Sequence, residues 1–139
     1  MQKYKIYLCG RMSNIAPEEA KGWRNFVKYS LEAYSDILVI SPCDFYSLDH
    51  PDSTTFTQKE IREYDLQQIK NCDIILYNLD HPDSVGSAIE ASLAERLWNK
   101  PIIAFGEENH PWIELTVTKR CKDVYDAIDY ILNFYYINK

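Results

Sequence analysis

The sequence predicts an α/β protein in three layers, with helices on both faces of a five-stranded, mainly parallel sheet. Three observations carry that expectation. Short apolar runs alternate with helical patterns along the whole chain, turn residues punctuate the runs, and no repeat, low-complexity stretch or linker interrupts the order. Strands separated by helices need crossover connections, which are right-handed and make neighbouring strands parallel.

The first strand is expected over Lys3–Cys9, ending at Gly10. A helix follows from Pro17 to about Tyr34; Pro17 suits a first turn, and Glu18 and Glu19 suit the positive end of the helix dipole. Asp36–Ile40 reads as a second short strand, stopped by Ser41 and Pro42. A polar loop spans Asp44 to about Thr57, and Gln58–Lys70 is a helix with Ile61, Leu66 and Ile69 turned inward. Asp73–Leu79 is the third strand, Ser87–Asn99 a helix and Pro101–Phe105 the fourth strand. Glu114–Thr118 is a weaker fifth strand, and Cys121–Tyr136 a closing helix. For about five strands the flavodoxin-like order is the most economical doubly wound arrangement. It brings the loops Gly10–Asn14, Asp44–Thr57 and Asp80–Ser87 to one edge of the sheet, with the long second loop as a lid candidate.

At 139 residues the chain has room for a single domain, residues 1–139, with a real core. A net charge of -6 argues against wrapping a nucleic-acid polymer, though not against one small nucleotide held by local donors. Cys9, Cys43, Cys72 and Cys121 are scattered without a metal-ligand spacing and read as reduced thiols, mostly buried. No leader and no long apolar run is seen, which gives a cytoplasmic expectation and no membrane partner. Phosphate-cradling fingerprints are missing as well: Cys9-Gly10-Arg11-Met12-Ser13 is not a glycine-rich loop, and no Gly-Lys-Ser/Thr occurs. A dinucleotide or triphosphate is therefore disfavoured, and a smaller ligand remains.

The most telling stretch is Ser84-Val85-Gly86-Ser87-Ala88-Ile89-Glu90. It follows the buried apolar run Ile74–Leu79 and leads into a good helix pattern. A strand, a small-residue turn and a helix with one acid on its second turn would hold Glu90 at the C-terminal edge of the sheet. That edge is where open α/β sheets bind ligands.

These segments, taken in order, resemble the nucleoside 2-deoxyribosyltransferase superfamily, which includes the 2'-deoxynucleoside 5'-monophosphate N-glycosidases. The similarity rests on Ile6-Tyr7-Leu8-Cys9-Gly10, on Glu63-Tyr64-Asp65-Leu66 with Ile69 and Cys72-Asp73, on Ser84–Glu90 with Ala94, and on Asn99–Phe105. The resemblance implies a flavodoxin-like fold and cleavage or transfer at an N-glycosidic bond. It also implies Glu90 as nucleophile, Asp65 beside sugar and base, and Tyr7 positioning the nucleophile, with no metal or cofactor. A carboxylate suits that chemistry, because departure of a base from C1' builds an oxocarbenium-like centre.

The chain departs from the transferases at one position. They carry an aspartate six residues before the nucleophile, at the sugar 5'-hydroxyl; here Ser84 stands there, as in the monophosphate N-glycosidases. A hydroxyl at a helix N-terminus attracts a phosphate that a carboxylate would repel. Gly10, Arg11, Ser13, Gly86 and Ser87 complete the expected substrate-binding set, and Asp83 is the alternative partner for a 5'-hydroxyl. Equally, Ser84 could serve only as a helix cap. A non-catalytic nucleotide-binding module and a signalling domain with a tyrosine-rich C-terminal interface are the other two readings. The expected partners are a nucleoside or nucleotide, a free base and a second copy of the chain. Asn109–Trp112 and the helix bearing Tyr125, Tyr130 and Phe134 are the segments expected to reach that copy.

Overall fold

The computed structural model describes residues 2–45, 56–81, 83–107 and 110–139. Among the described residues the strands and α-helices follow one another as β1 (Tyr4–Cys9), α1 (Pro17–Leu31), β2 (Ile37–Ile40), α2 (Gln58–Lys70), β3 (Ile74–Asn78), α3 (Val85–Trp98), β4 (Ile102–Phe105), α4 (Pro111–Thr116), β5 (Lys119–Arg120) and α5 (Val124–Tyr130), with a short 3-10 turn at Pro42–Asp44 after β2. A π-helical stretch, Ile131–Tyr136, continues α5. The strands form one sheet in the order β2-β1-β3-β4-β5, and every neighbouring pair is parallel. This is the expected flavodoxin-like order.

Alternation along the strands sorts the core into two halves. Ile6, Leu8, Ile74 and Leu76 pack with Val27 and Leu31 of α1 and Ala127 and Ile128 of α5. Their neighbours Tyr7, Cys9, Ile75 and Tyr77 point to the other face, against Ile69 of α2 and Ala91 and Ala94 of α3. Successive strand side chains alternate between faces. Whatever chemistry β1 carries on its odd-numbered residues therefore lies under α2 and α3. Both faces being covered, β3 is buried at every position, which is why it reads as an unbroken apolar run.

The structure corrects the fifth strand. Glu114–Thr118 was expected as strand, but Pro111–Thr116 is helical and β5 lies just beyond it, at Lys119–Arg120. The β-branched run favoured a strand, yet local signals at the start of the segment prevailed. Pro111 occupies the first turn, and the His110 ring accepts the backbone N–H of Trp112 at 3.2 Å. The closing helix begins at Val124 rather than at Cys121, because Asp123 caps it, accepting from the Asp126 N–H at 2.9 Å. Helix α3 begins earlier than expected, at Val85, behind Ser84. All four cysteines are free; Cys9, Cys72 and Cys121 are buried. No helix among the described residues is long and apolar enough to cross a membrane.

Candidate active site

The strand order changes direction between β1 and β3, and helices α2 and α3 flank the C-terminal ends of those strands. Doubly wound folds bind ligands at such a point. A cleft of about 680 Å³ opens there. Gly10, Arg11, Ser13, Asp65, Asp83, Ser84, Gly86, Ser87 and Glu90 all line it, so nine of the ten sequence-predicted site residues meet at one surface. The tenth, Tyr7, is fully buried directly beneath and gives its hydroxyl to Glu90. The lid candidate Asp44–Thr57 lies largely outside the described residues, as do Asp49 and Asp52 within it and Asn109 near α4.

Glu90 is held on three sides. From β1, the Tyr7 O–H donates to both carboxylate oxygens at 3.4 Å, and the Cys9 S–H faces Oε1 at 3.7 Å. From α2, buried Asp65 shares a hydrogen bond with the Glu90 carboxyl. Burial and the Asp65 charge push the Glu90 carboxyl up to about 8, while the hydrogen bonds from Cys9 and Tyr7 pull the other way. The neighbouring acid and the burial both disfavour a second negative charge here, so the pair favours keeping one proton. One carboxyl can then act as acid while the other is a nucleophile or base. Burial and the neighbouring Glu90 also push the Tyr7 phenol well above its ordinary range, so it remains a donor.

The entrance to α3 is built from small polar groups. The Ser84 hydroxyl accepts the Ser87 N–H at 3.4 Å and donates to the Ser87 hydroxyl at 3.0 Å, so Ser84 does cap the helix while facing the cleft. A Cβ added to Gly86 would meet nothing, which leaves the backbone of the first turn open to a ligand. Arg11 crosses the mouth, bonding the Ser13 carbonyl at 2.8 Å and the Asp83 carboxylate at 2.9 Å. That ion pair offsets the charge of Asp83. Gly10 is required for another reason: a Cβ there would sit 2.9 Å from the Trp23 ring. Its carbonyl accepts from the buried Arg24 guanidinium at 2.8 Å, which anchors the first loop.

Two features were not anticipated from the sequence. Cys9 bonds to Glu90, although strand alternation already placed it beside Tyr7 on that face. An apolar recess of about 440 Å³, lined by Phe45, Phe56, Glu60, Ile61 and Tyr64, adjoins the cleft and shares Ile61 with it. Ile61 thus faces open space where it was expected to point into the core. Among the described residues no group of three or more His, Cys, Asp or Glu side chains could hold a metal ion.

Known structures share this fold. A 2-deoxyribosyltransferase from Bacillus psychrosaccharolyticus superposes with a TM-score of 0.70 at 23% identity, over 91% of each chain. A CMP N-glycosidase from Clostridium botulinum superposes at 0.64 with 16% identity, over 94% of this chain and 99% of that one. A conserved protein from Enterococcus faecalis V583 gives 0.76 at 14% identity, over 94% and 98%. No protein-family model matches the chain, and no curated protein matches it in sequence.

Proposed function

We propose that the protein breaks the N-glycosidic bond of 2'-deoxynucleosides or their 5'-monophosphates, passing the sugar to water or to a second base. The observation that carries this reading is the Glu90–Asp65 carboxyl pair at the floor of the cleft, with the Tyr7 hydroxyl on Glu90. In the productive arrangement the shared proton rests on Asp65. A Glu90 oxygen attacks C1', the C1'–N bond breaks, and its electron pair goes to the base, which takes the proton from Asp65. The glycosyl ester on Glu90 is then attacked by water or an incoming base nitrogen, which gives up its proton to Asp65 and frees Glu90. Retaining glycosidases use such a carboxylate pair to form and break a glycosyl–enzyme ester. The long Tyr7 bonds are of the kind that tighten once substrate is bound.

The test is incubation with deoxynucleosides and deoxynucleoside 5'-monophosphates, with and without a second free base, followed by chromatography. Free base released in water marks a hydrolase, and a new nucleoside marks a transferase. Neither product from any common base would sink the proposal.

The mouth of the cleft favours the monophosphate. Ser84, Ser87 and the open backbone at Gly86 offer donors at a helix N-terminus, and Asp83 is already paired with Arg11. Ser84→Asp is therefore expected to move kcat/KM selectivity from monophosphate toward nucleoside by at least about tenfold, since a charge-assisted bond is worth roughly 1.5–3 kcal/mol. Equal selectivity in parent and variant would leave Ser84 only its capping role.

Self-association is also proposed. Trp112 and Leu115 on α4 are 80% and 81% exposed and Tyr125 on α5 is 63% exposed, which leaves apolar side chains for a second copy to cover. Sedimentation at micromolar concentration is expected to show a dimer or larger; a monomer with full activity would contradict it.

A further inference from the structure

Cys9 is fully buried at the end of β1, and its thiol has one hydrogen facing two acceptors. These are the Ser87 carbonyl at 3.4 Å and Glu90 Oε1 at 3.7 Å. We propose that Cys9 is a positioning residue: its S–H holds Oε1 when Glu90 is a carboxylate and turns to the Ser87 carbonyl when Glu90 is neutral or esterified, which leaves Oε2 to meet C1'. The contact of Oε2 with C1' rests on the glycosidic reading; the hydrogen-bond exchange does not.

The geometry favours a thiol at this position. The Tyr7 hydroxyl is equidistant from both Glu90 oxygens and cannot distinguish them, whereas Cys9 reaches only Oε1. A thiol is a weak donor, so it can orient a nucleophile without much reducing its basicity. Burial and the Glu90 charge push the Cys9 thiol far above its ordinary range, so the group stays S–H. The other groups acting on Glu90 and Cys9 come from every packed element. They are Tyr7 on β1, Asp65 on α2, Ser87 on the same helix α3, Tyr77 on β3, and Arg24 on α1, whose charge bears on Tyr7 and Cys9. Cys9 touches Glu90 without occupying the cleft, whose lining does not include it.

Two substitutions test this in the intact protein, read by the carbon-13 titration of the Glu90 side-chain carboxyl, assigned by difference against Glu90→Gln. Cys9→Ala removes the donor and is expected to raise the Glu90 midpoint by about half a unit. Cys9→Ser supplies a stronger donor and should bring the midpoint below the parent value. In kinetics Cys9→Ala is expected to lower kcat about two- to tenfold with KM little changed, with Cys9→Ser recovering part of the loss. Coincident titrations for parent, Cys9→Ala and Cys9→Ser would overturn the proposal whether or not the protein turns over nucleosides. If Cys9→Ala does not fold, an unmoved Cys9→Ser midpoint overturns it alone. A shifted midpoint in a protein without glycosidic activity would uphold the hydrogen-bond exchange and remove only the role at C1'.

Discussion

Glu90→Gln is expected to lower base release at least about a thousandfold, the scale on which loss of a covalent nucleophile is felt. The amide keeps the shape of the side chain and its contacts with Tyr7 and Cys9, but it cannot form the sugar ester. The same substitution carries a second signature that needs no substrate. The folded protein raises the Glu90 carboxyl from 4.5 to about 8 by burial and by the Asp65 charge. Below 4.5 both folded and unfolded chains hold the proton, and this group contributes nothing to the pH dependence. Between 4.5 and about 8 the unfolded chain has released a proton that the folded chain retains, so the parent loses stability as pH rises. Above that window the penalty is complete, on the order of a few kcal/mol. Glu90→Gln escapes it. The variant should therefore melt close to the parent at pH 4 and clearly above it at pH 9, gaining stability while losing turnover. A melting difference that shrinks as pH rises would contradict the shared-proton account.

Asp65→Asn is expected to cost about 10²–10⁴-fold in kcat/KM, the usual worth of a positioned general acid. Its effect on the pH profile is the sharper test. In the parent, the carboxyl pair keeps one proton until about pH 8, and activity should fall above that value as the acid is lost. Removing the Asp65 charge takes away a principal cause of the raised Glu90 value, so the residual activity of the variant should no longer fall near pH 8. Leaving groups of low basicity, which need no proton, should be cleaved with much less loss. A variant with the parent's alkaline limb intact would show that Asp65 neither shares nor supplies the proton.

The parts of the fold and site that were readable in the sequence have a common origin. Period-two alternation in Ile6-Tyr7-Leu8-Cys9 and Ile74-Ile75-Leu76-Tyr77 is local, and it determines which face each side chain meets. The strand–helix order placed Glu90 at the C-terminal edge of the sheet, and the resemblance to the deoxyribosyltransferases implied Tyr7 beside it. The fifth strand was misread because Leu115-Thr116-Val117-Thr118 favours extended structure, whereas the His110 cap and Pro111 commit the preceding turn to helix. The shared proton was not readable, since it depends on how deeply α2 and α3 bury Asp65 and Glu90 against each other. Nor was the recess of Phe45, Phe56 and Tyr64, because its walls come from segments separated in the chain and meet only once α2 is docked. Cys9 falls between these cases. Its face was readable, but its distance to Glu90 was not.

The central claim is that a Glu90 oxygen bonds to C1', and trapping that bond tests it most directly. A 2-fluoro-substituted deoxynucleoside, or its 5'-monophosphate, slows breakdown of the ester by destabilising the oxocarbenium-like transition state. Intact mass spectrometry of the protein after exposure should show the fluorosugar mass added once per chain, and fragmentation should place it on Glu90. Turnover of the analogue with a label on another side chain, or release of base from ordinary substrates with no trappable adduct, would contradict the assignment.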